Sequence, residues 1–161
     1  MKKHYWSIPI IVGIFCSCSE VAKTDIMNEI KTSLVKALPN PSVTEEENGD
    51  VSITQDETTL LLYKDKIFTG DLDDDNETDI IYTVGINEGG NMVINRHFAS
   101  ISSMKEKFEF ELEPNSVISE VSNKKIYVHE FSFAEGDPNC CPSERHTVRY
   151  SFIGDKIVKI N

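Results

Sequence analysis

Residues 124–133 read KKIYVHEFSF and carry the clearest strand pattern in the chain. Tyr127, Phe131 and Phe133 share one parity in a segment rich in β-branched and aromatic residues. Alternation of this kind is typical of an antiparallel strand with one buried and one solvated face. Residues 107–113, KFEFELE, show the same period, with charged residues alternating with Phe108, Phe110 and Leu112.

Short runs of similar composition, bounded by Gly, Asn, Asp and Pro, continue on both sides of these segments. The candidate strands are residues 51–54, 58–63, 66–69, 79–86, 92–101, 107–112, 126–133, 146–153 and 156–160. No long helical pattern separates them, which favours antiparallel pairing over a parallel sheet. The sequence therefore predicts a mainly β fold, an antiparallel sandwich or partial barrel.

One amphipathic helix is expected ahead of the strands, over residues 24–38. Thr24 is the predicted N-cap, and apolar residues then recur at spacings of three and four. These residues are Ile26, Met27, Ile30, Leu34 and Leu38. Because the polar face of this helix is mixed rather than basic, we expect the apolar stripe to dock on the domain or on a partner rather than to lie in lipid.

The first twenty residues, MKKHYWSIPIIVGIFCSCSE, are typical of a signal peptide. Their apolar run is shorter than the roughly 20 residues that a membrane-spanning helix needs. Residues 15–20, FCSCSE, resemble the lipobox of bacterial lipoproteins, with Ser17 as the small residue before a lipidated Cys18. The resemblance implies a protein of the bacterial cell envelope that acyl chains such as palmitate hold on a membrane. The residues after Cys18 do not resemble the inner-membrane retention signal, which has aspartate next to the cysteine, so the outer membrane is preferred. An ordinary secreted protein cleaved nearby is the alternative.

The formal charge of the chain is −11. Most of the acidic excess lies between residues 45 and 79, where the only basic residues are Lys64 and Lys66. This balance argues against nucleic-acid binding and against a basic patch for anionic lipids. Within this region, TEEENGD at 44–50 is interpreted as a solvated linker. We therefore divide the chain into a signal peptide (1–17), a segment with lipid anchor, helix and acidic linker (18–48), and a single β domain (49–161).

Residues 70–79, GDLDDDNETD, contain the densest group of acids, and residues 71–79 are called the acidic loop below. Calcium takes six to eight oxygen ligands at about 2.3–2.6 Å, and ligands at alternate positions of a loop can converge on one ion. With Asp71 counted as position one, carboxylates stand at positions one, three, five and nine. These are Asp71, Asp73, Asp75 and Asp79. Glu77, at position seven, is expected to contribute its backbone carbonyl. The sequence thus predicts a calcium site.

Other residues in and after the acidic loop indicate which type of calcium loop and which ion fit best. Asn76 stands at the sharp turn where Gly is usual, and Asn tolerates positive φ better than most residues. Asp74 is expected to face water. Tyr82 at position twelve excludes an EF-hand, which needs a bidentate Glu there. Magnesium prefers stricter octahedral geometry and zinc prefers nitrogen and sulfur, so both fit less well. The alternative is a solvated acidic turn without an ion.

The acidic loop resembles the calcium loops of dockerin and of integrin-type propeller repeats. Together with Gly89 and Gly90 and the segment GDPNCCPS at 136–143, it resembles a group of uncharacterised bacterial envelope lipoproteins. In that group a Gly-Asp-Leu-Asn-Gly-Asp-Gly loop precedes a strand, and a Gly-Asp-Pro-x-Cys-Cys-Pro segment follows. The resemblance covers about residues 50–161 and implies no activity.

Cys140 and Cys141 are the cysteines that remain once Cys16 is removed and Cys18 is acylated. Adjacent Cα atoms are about 3.8 Å apart, which is closer than in most disulfides. We interpret the pair as a vicinal disulfide that clips a turn between Pro138 and Pro142. A redox-active pair is the alternative, and a zinc site that includes His146 lacks a fourth ligand at the usual spacing.

No pattern of catalytic residues stands out. His97, His129 and His146 fall on candidate strands without a nucleophile elbow or a histidine pair at metal spacing. We therefore expect a non-enzymatic binding or accessory module, for which an envelope protein or a glycan is a candidate partner. A thiol redox protein that uses Cys140 and Cys141 is the second hypothesis.

Overall fold

A computed structural model describes residues 18–104, 107–138 and 140–160, with side chains from residue 23 onward. The predicted signal peptide, residues 1–17, and the side chain of the predicted lipidation site Cys18 lie outside this description. In the part of the chain that is described, no helix is both long and apolar enough to cross a membrane.

Among the described residues, one helix precedes ten strands. The helix is α1 (Cys18–Ala37). The strands are β1 (Ser42–Glu45), β2 (Val51–Gln55), β3 (Thr58–Gly70), β4 (Asp79–Glu88), β5 (Ile94–Ser100), β6 (Phe108–Phe110), β7 (Ser116–Ser122), β8 (Lys125–Ser132), β9 (Glu144–Ile153) and β10 (Lys156–Ile160).

The strands form two antiparallel sheets. The six-stranded sheet has the order β1-β2-β3-β4-β5-β6, and the four-stranded sheet has the order β10-β9-β8-β7. Every strand pairs only with its neighbours in the sequence, as expected where short connections join antiparallel strands. The predicted mainly β fold with one N-terminal helix is confirmed, and its observed form is a two-sheet sandwich.

The helix and the two sheets form three layers, and an apolar cluster lies at each of the two boundaries between them. Ile81 and Ala99 of the six-stranded sheet pack against Ile126 and Val128 of the four-stranded sheet. On the opposite face of the six-stranded sheet, Met27 and Ile30 of α1 join a cluster with residues of β2, β3 and β4. Each fully buried aliphatic side chain of this kind contributes about 1.5–3 kcal/mol. The six-stranded sheet is thus covered on both faces, and no described element covers the outer face of the four-stranded sheet.

The helix docks on the domain through the predicted stripe, since Ile26, Leu34 and Leu38 pack around Met27 and Ile30. Its start was predicted incorrectly, because α1 begins at Cys18 and Thr24 is interior rather than the N-cap. Packing of the apolar residues from Ile26 to Leu38 against the sheet stabilises the helix.

The linker prediction for residues 44–50 is corrected, because Ser42–Glu45 forms β1 and pairs with β2. Residues 46–50 then make the turn, in which Gly49 N donates to Glu46 O over 2.9 Å. All four β1 side chains are exposed, so this edge strand lacks the alternation that sequence analysis detects. The mixed, largely polar segment Ser116–Ser122, which forms β7, was missed because a bulge between Ile118 and Glu120 interrupts the alternation of its apolar residues.

Alternation in β8 is observed, and the buried parity is that of Ile126 and Val128. Tyr127 and Phe131 lie on the other face, and Phe133, beyond the strand, is half exposed. From β8, the β-branched side chains of Ile126 and Val128 face the other sheet, whereas the aromatic rings of Tyr127 and Phe131 lie on the open side. The outer face of the four-stranded sheet therefore carries aromatic side chains.

Candidate metal centre

The acidic loop joins β3 to β4, and Asp79 is the first residue of β4. Gly70 and Asp79 are cross-strand partners at the mouth of the loop. Leu72 is almost fully buried in the cluster between the sheets. This apolar anchor fixes the loop, because its burial holds the carboxylates of Asp71 and Asp73 on either side of it.

Two residues turn the backbone sharply. Asp74 has φ +72° and Asn76 has φ +64°, both in the left-handed region that Asn and Asp adopt more readily than most residues. The positive φ predicted for Asn76 is confirmed. Asp71 Oδ1 accepts a hydrogen bond from Asp74 N at 2.7 Å, and Asp71 Oδ2 accepts one from Asn76 N at 3.2 Å. The first carboxylate therefore organises the turn that follows it.

Asp71, Asp73 and Asp79 form the centre of the site. One carboxylate oxygen from each lies within 4.8 Å of the other two. Oxygens bound to one calcium ion at about 2.5 Å can be at most about 5 Å apart, so these three can ligate the same cation. Of the three, Asp79 is fully buried and the others are partly exposed.

Asp79 is held by donors from two different loops. Its Oδ2 accepts a hydrogen bond from Leu72 N at 2.6 Å, and its Oδ1 accepts one from Ser102 N at 2.8 Å. Ser102 follows β5, so this carboxylate connects the β3–β4 loop with the β5–β6 connection. No described lysine, arginine or histidine forms an ion pair with Asp79.

The hydroxyl of Ser102 lies between two carboxylates. Its Oγ is 2.8 Å from Asp75 Oδ2 and 2.9 Å from Asp79 Oδ1. A hydroxyl has one hydrogen to donate and two lone pairs that accept. It can donate to only one of these oxygens at a time, so the other receives no hydrogen from this hydroxyl. Hydrogen bonds from the Glu77 amide and from Ser102 lower the pKa of Asp75, which keeps it ionised.

Asp73 has an oxygen without any partner. Its Oδ2 accepts a hydrogen bond from the Ser103 hydroxyl, while its Oδ1 is buried and has no hydrogen-bond partner among the described residues. An unpartnered buried oxygen of a carboxylate is costly and calls for a specific explanation. A cation between Asp71, Asp73 and Asp79 would supply the missing partner.

The remaining predicted ligands lie at the margin. Asp75 touches Ser102 but does not belong to the group of three, and Glu77 is exposed and uses its amide to donate to Asp75 Oδ1 at 2.7 Å. Asp74 is exposed, as expected, and forms an ion pair with Lys124. That pair is the only one between a described cation and a carboxylate of the acidic loop.

Ser102 and Ser103 were not predicted from the sequence. The pairing of β4 with β5 brings Ser100 opposite Ile80, so the next residues of that chain segment must lie beside Asp79. Strand register, once known, would have indicated both serines. Neither residue has a local sequence signal of its own.

The cysteine pair lies in the connection between β8 and β9. Cys140 and Cys141 face each other as a vicinal disulfide with Cα atoms 3.8 Å apart. Asp137 Oδ2 accepts hydrogen bonds at 2.8 Å from Ala134 N and from Ser143 N, and these bonds lower the pKa of its carboxyl group. The carboxylate thereby joins the two ends of the loop around the cysteines, as a structural clip would require.

The histidines occupy ordinary positions. His97 is buried, and its Nδ1 lies 2.9 Å from the Thr83 hydroxyl. Burial, with a smaller effect from Lys66, lowers the pKa of its imidazole. His146 is exposed, and its Nε2 lies 3.7 Å from Glu144 Oε2.

Comparisons with protein-family models, with curated proteins and with solved structures found no match for this chain.

Proposed function

We propose that this protein is a lipid-anchored component of the bacterial cell envelope whose β domain is stabilised by calcium and acts as a non-enzymatic binding or accessory module. The lipid anchor rests on Cys18 in its lipobox-like context. The calcium part rests on the acidic loop. The single observation that carries it is the buried, unpartnered Asp73 Oδ1 beside the carboxylates of Asp71 and Asp79.

Charge repulsion supports a cation at this position. Two carboxylate charges 4.8 Å apart repel by about 0.9 kcal/mol in water and about 3.5 kcal/mol at an effective dielectric of 20. Three such pairs meet within the group. The hydrogen bonds from Leu72, Asp74 and Asn76 offset part of this repulsion, and a divalent ion would remove most of the rest.

Oxygen chemistry favours calcium over the other common ions. The donor set contains carboxylates and two hydroxyls, without nitrogen or sulfur, which suits a hard cation. Asp71, Asp73 and Asp79 would hold the ion, and Asp75 with Ser102 would complete the surroundings. Bound there, calcium would neutralise the loop and join the β3–β4 loop to the β5–β6 connection, which is a structural role.

Thermal unfolding in a calcium titration tests the site. At a calcium concentration one hundred times Kd, binding stabilises the native state by about 2.7 kcal/mol, and about 2–4 °C per kcal/mol is usual for a chain of this size. We therefore expect Tm to rise by about 5–10 °C in saturating calcium. Magnesium at equal concentration should produce a much smaller rise.

A pair of matched variants separates a specific site from general charge screening. Asp71→Asn with Asp73→Asn should abolish the calcium-dependent rise in Tm. Glu46→Gln with Glu47→Gln removes the same charge from an exposed turn elsewhere and should leave the rise intact. Equal responses in both double variants, or no rise in the unmodified protein, would contradict the calcium site.

Metabolic labelling tests the anchor independently. Cells that express the full chain and are fed an alkyne-bearing palmitate analogue should label the protein, and Cys18→Ser should abolish both the label and sedimentation with membranes. If the unmodified protein is secreted and carries no label, as is expected of Cys18→Ser, the lipoprotein proposal is rejected. The calcium site is not affected by that result.

A further inference from the structure

The outer face of the four-stranded sheet is the large sheet surface that neither the helix nor the other sheet covers. Because cross-strand partners share a face, the register identifies its members. Tyr127 is opposite Arg149, and Phe131 is opposite Arg145. Lys125 has the same parity on β8, and Lys156 is opposite Ile153 at the β9–β10 end. The outer basic face is defined by these residues: Lys125, Tyr127, Phe131, Arg145, Arg149 and Lys156.

The charge on this face is opposite to that of the chain. It carries four cations, and Glu120, opposite Tyr127, is a carboxylate on the same side. None of the four forms an ion pair with a described carboxylate. The overall charge of −11 gave no indication of this surface, because antiparallel pairing gathers on it cations that are dispersed in the sequence.

The face is also partly apolar. Ile153 is 56% exposed and Val117, opposite His129, is 43% exposed. Tyr127 and Phe131 are half-buried between their neighbours. Aromatic residues and arginine are enriched at the centres of protein–protein interfaces and dominate their binding energy, whereas lysine is depleted there. Arginine and aromatic residues occupy the central strands of this face, and its two lysines lie at its margins.

We propose that the outer basic face is a docking surface for an acidic protein segment. The guanidinium groups of Arg145 and Arg149 would pair with carboxylates of the partner in bidentate fashion, with Tyr127 and Phe131 packing between them. Because none of the four cations pairs with a described carboxylate, no ion pair within the described part of the protein must break first. The proposal depends neither on calcium nor on the lipid anchor.

The spacing of the two arginines favours an extended peptide over other polyanions. Arg145 and Arg149 are four residues apart on one strand, or about 13 Å at 3.3 Å per residue. Side chains four residues apart in an extended partner have the same separation and also point to one side. Attraction to anionic lipid usually relies on a dense cluster of about four to eight Lys or Arg, and four cations spread over three strands are sparser than that.

A binding measurement with a defined peptide tests the surface. The probe is a short fluorescein-labelled peptide of alternating glutamate and threonine, which places all carboxylates on one side when extended, and the same peptide with glutamine is its control. We expect fluorescence anisotropy to show binding of the glutamate peptide to the purified full chain, weakening as salt increases. The glutamine peptide should not bind.

Variants locate the binding. Arg145→Gln with Arg149→Gln should weaken binding about tenfold, as expected for the loss of two charge-assisted contacts. Lys36→Gln with Lys64→Gln removes two exposed cations elsewhere and should change affinity less than twofold. Tyr127→Ser should also weaken binding, and Tm shows that each variant is folded. Asp71→Asn with Asp73→Asn should bind normally, which separates this result from that of the calcium site.

Three outcomes would overturn the proposal. One is no binding of the glutamate peptide at concentrations of about 1 mM. Another is an equal loss of affinity in the Arg145/Arg149 and Lys36/Lys64 double variants. The third is that the peptide does not bind, whereas polygalacturonate or vesicles rich in phosphatidylglycerol bind in a way that depends on Arg145 and Arg149. That result would assign the face to a glycan or to a membrane.

Discussion

Asp79 Oδ2 accepts a hydrogen bond from Leu72 N at 2.6 Å, so the last residue of the acidic loop closes it onto its second. Both side chains are buried, Asp79 fully and Leu72 almost so. A carboxylate in that position cannot serve as a flexible surface ligand. It is part of the frame that positions Asp71 and Asp73, and any ion bound here is coupled to the packing of the two sheets.

We predict that Asp79→Asn destabilises the protein even without calcium. An amide keeps one acceptor, but its NH₂ group faces donors at Leu72 or Ser102, so one buried hydrogen bond is replaced by a repulsive contact. The free energy of unfolding should fall by about 1–3 kcal/mol in urea titrations. The stability that calcium adds to the native protein should also be lost.

Asp56→Asn is the control for Asp79→Asn. Asp56 is an exposed turn residue with φ +51°, a conformation that Asn adopts equally well. Its free energy of unfolding should match that of the unmodified protein within about 0.5 kcal/mol. Unchanged stability in Asp79→Asn would contradict the closing role of this carboxylate.

We predict opposite tolerances for two substitutions at Asn76, whose φ is +64°. Glycine reaches this region without strain, so Asn76→Gly should keep both stability and the calcium response. Asn76→Val places a β-branched side chain in the left-handed region and should destabilise the protein by about 1–2 kcal/mol. Thermal unfolding with and without calcium measures both effects, and equal behaviour of the two variants would show that this turn does not control the loop.

The β class, the antiparallel pairing and the docking stripe of α1 were predictable because each depends on local periodicity. The position of the acidic loop between two strands was predictable as well, from the dense acids that precede the apolar run of β4. Two predicted strands, 58–63 and 66–69, proved to be one strand, β3, with a bulge between Leu62 and Ile67. Charged residues at 64–66 made that bulge look like a turn.

Other features depend on contacts between segments distant in sequence. Ser102 and Ser103 reach the acidic loop only through the β4–β5 register, and Arg145 and Arg149 form one surface with Tyr127 and Phe131 only through the β8–β9 register. Composition averages over the whole chain, so it hid a basic face on an acidic protein. Exposure of all side chains in β1 removed the period-two signal at that edge.

Stability is predicted to depend on pH through His97. Burial lowers the pKa of its imidazole in the folded state, whereas the unfolded chain takes up a proton near the ordinary value of 6.5. The unfolded state therefore binds more protons below pH 6.5, and the free energy of unfolding should fall as pH decreases from about 7.5 toward the lower folded pKa, by at most about 1.4 kcal/mol per pH unit.

The pH dependence is measured by urea unfolding between about pH 7.5 and 5.5. His97→Gln, which cannot take up a proton, should flatten the slope even if it lowers overall stability. His146→Gln changes an exposed histidine and should leave the slope as it is. A slope that is identical in all three proteins would show that His97 does not titrate differently in the folded and unfolded states.

We predict that the Cys140–Cys141 disulfide stabilises the conformation of its own loop and contributes little to the free energy of unfolding of the whole protein. The stabilisation that a disulfide gives by restricting the unfolded chain grows with the length of the loop it closes, and a bridge between adjacent residues closes almost none. The double variant Cys140→Ser with Cys141→Ser should therefore change the free energy of unfolding by less than about 0.5 kcal/mol. Amide exchange should instead become faster at Ala134 and Ser143, whose N–H groups donate to Asp137.

Mass spectrometry of the tryptic peptide 126–145 tests the bridge directly. Alkylation without reductant should add nothing to this peptide, and alkylation after reduction should modify both cysteines. Two alkylated thiols before reduction would remove the bridge. A purified protein that also reduced insulin disulfides, and lost this activity in Cys141→Ser, would replace the structural clip with the redox hypothesis, because a clip holds a turn and transfers no electrons.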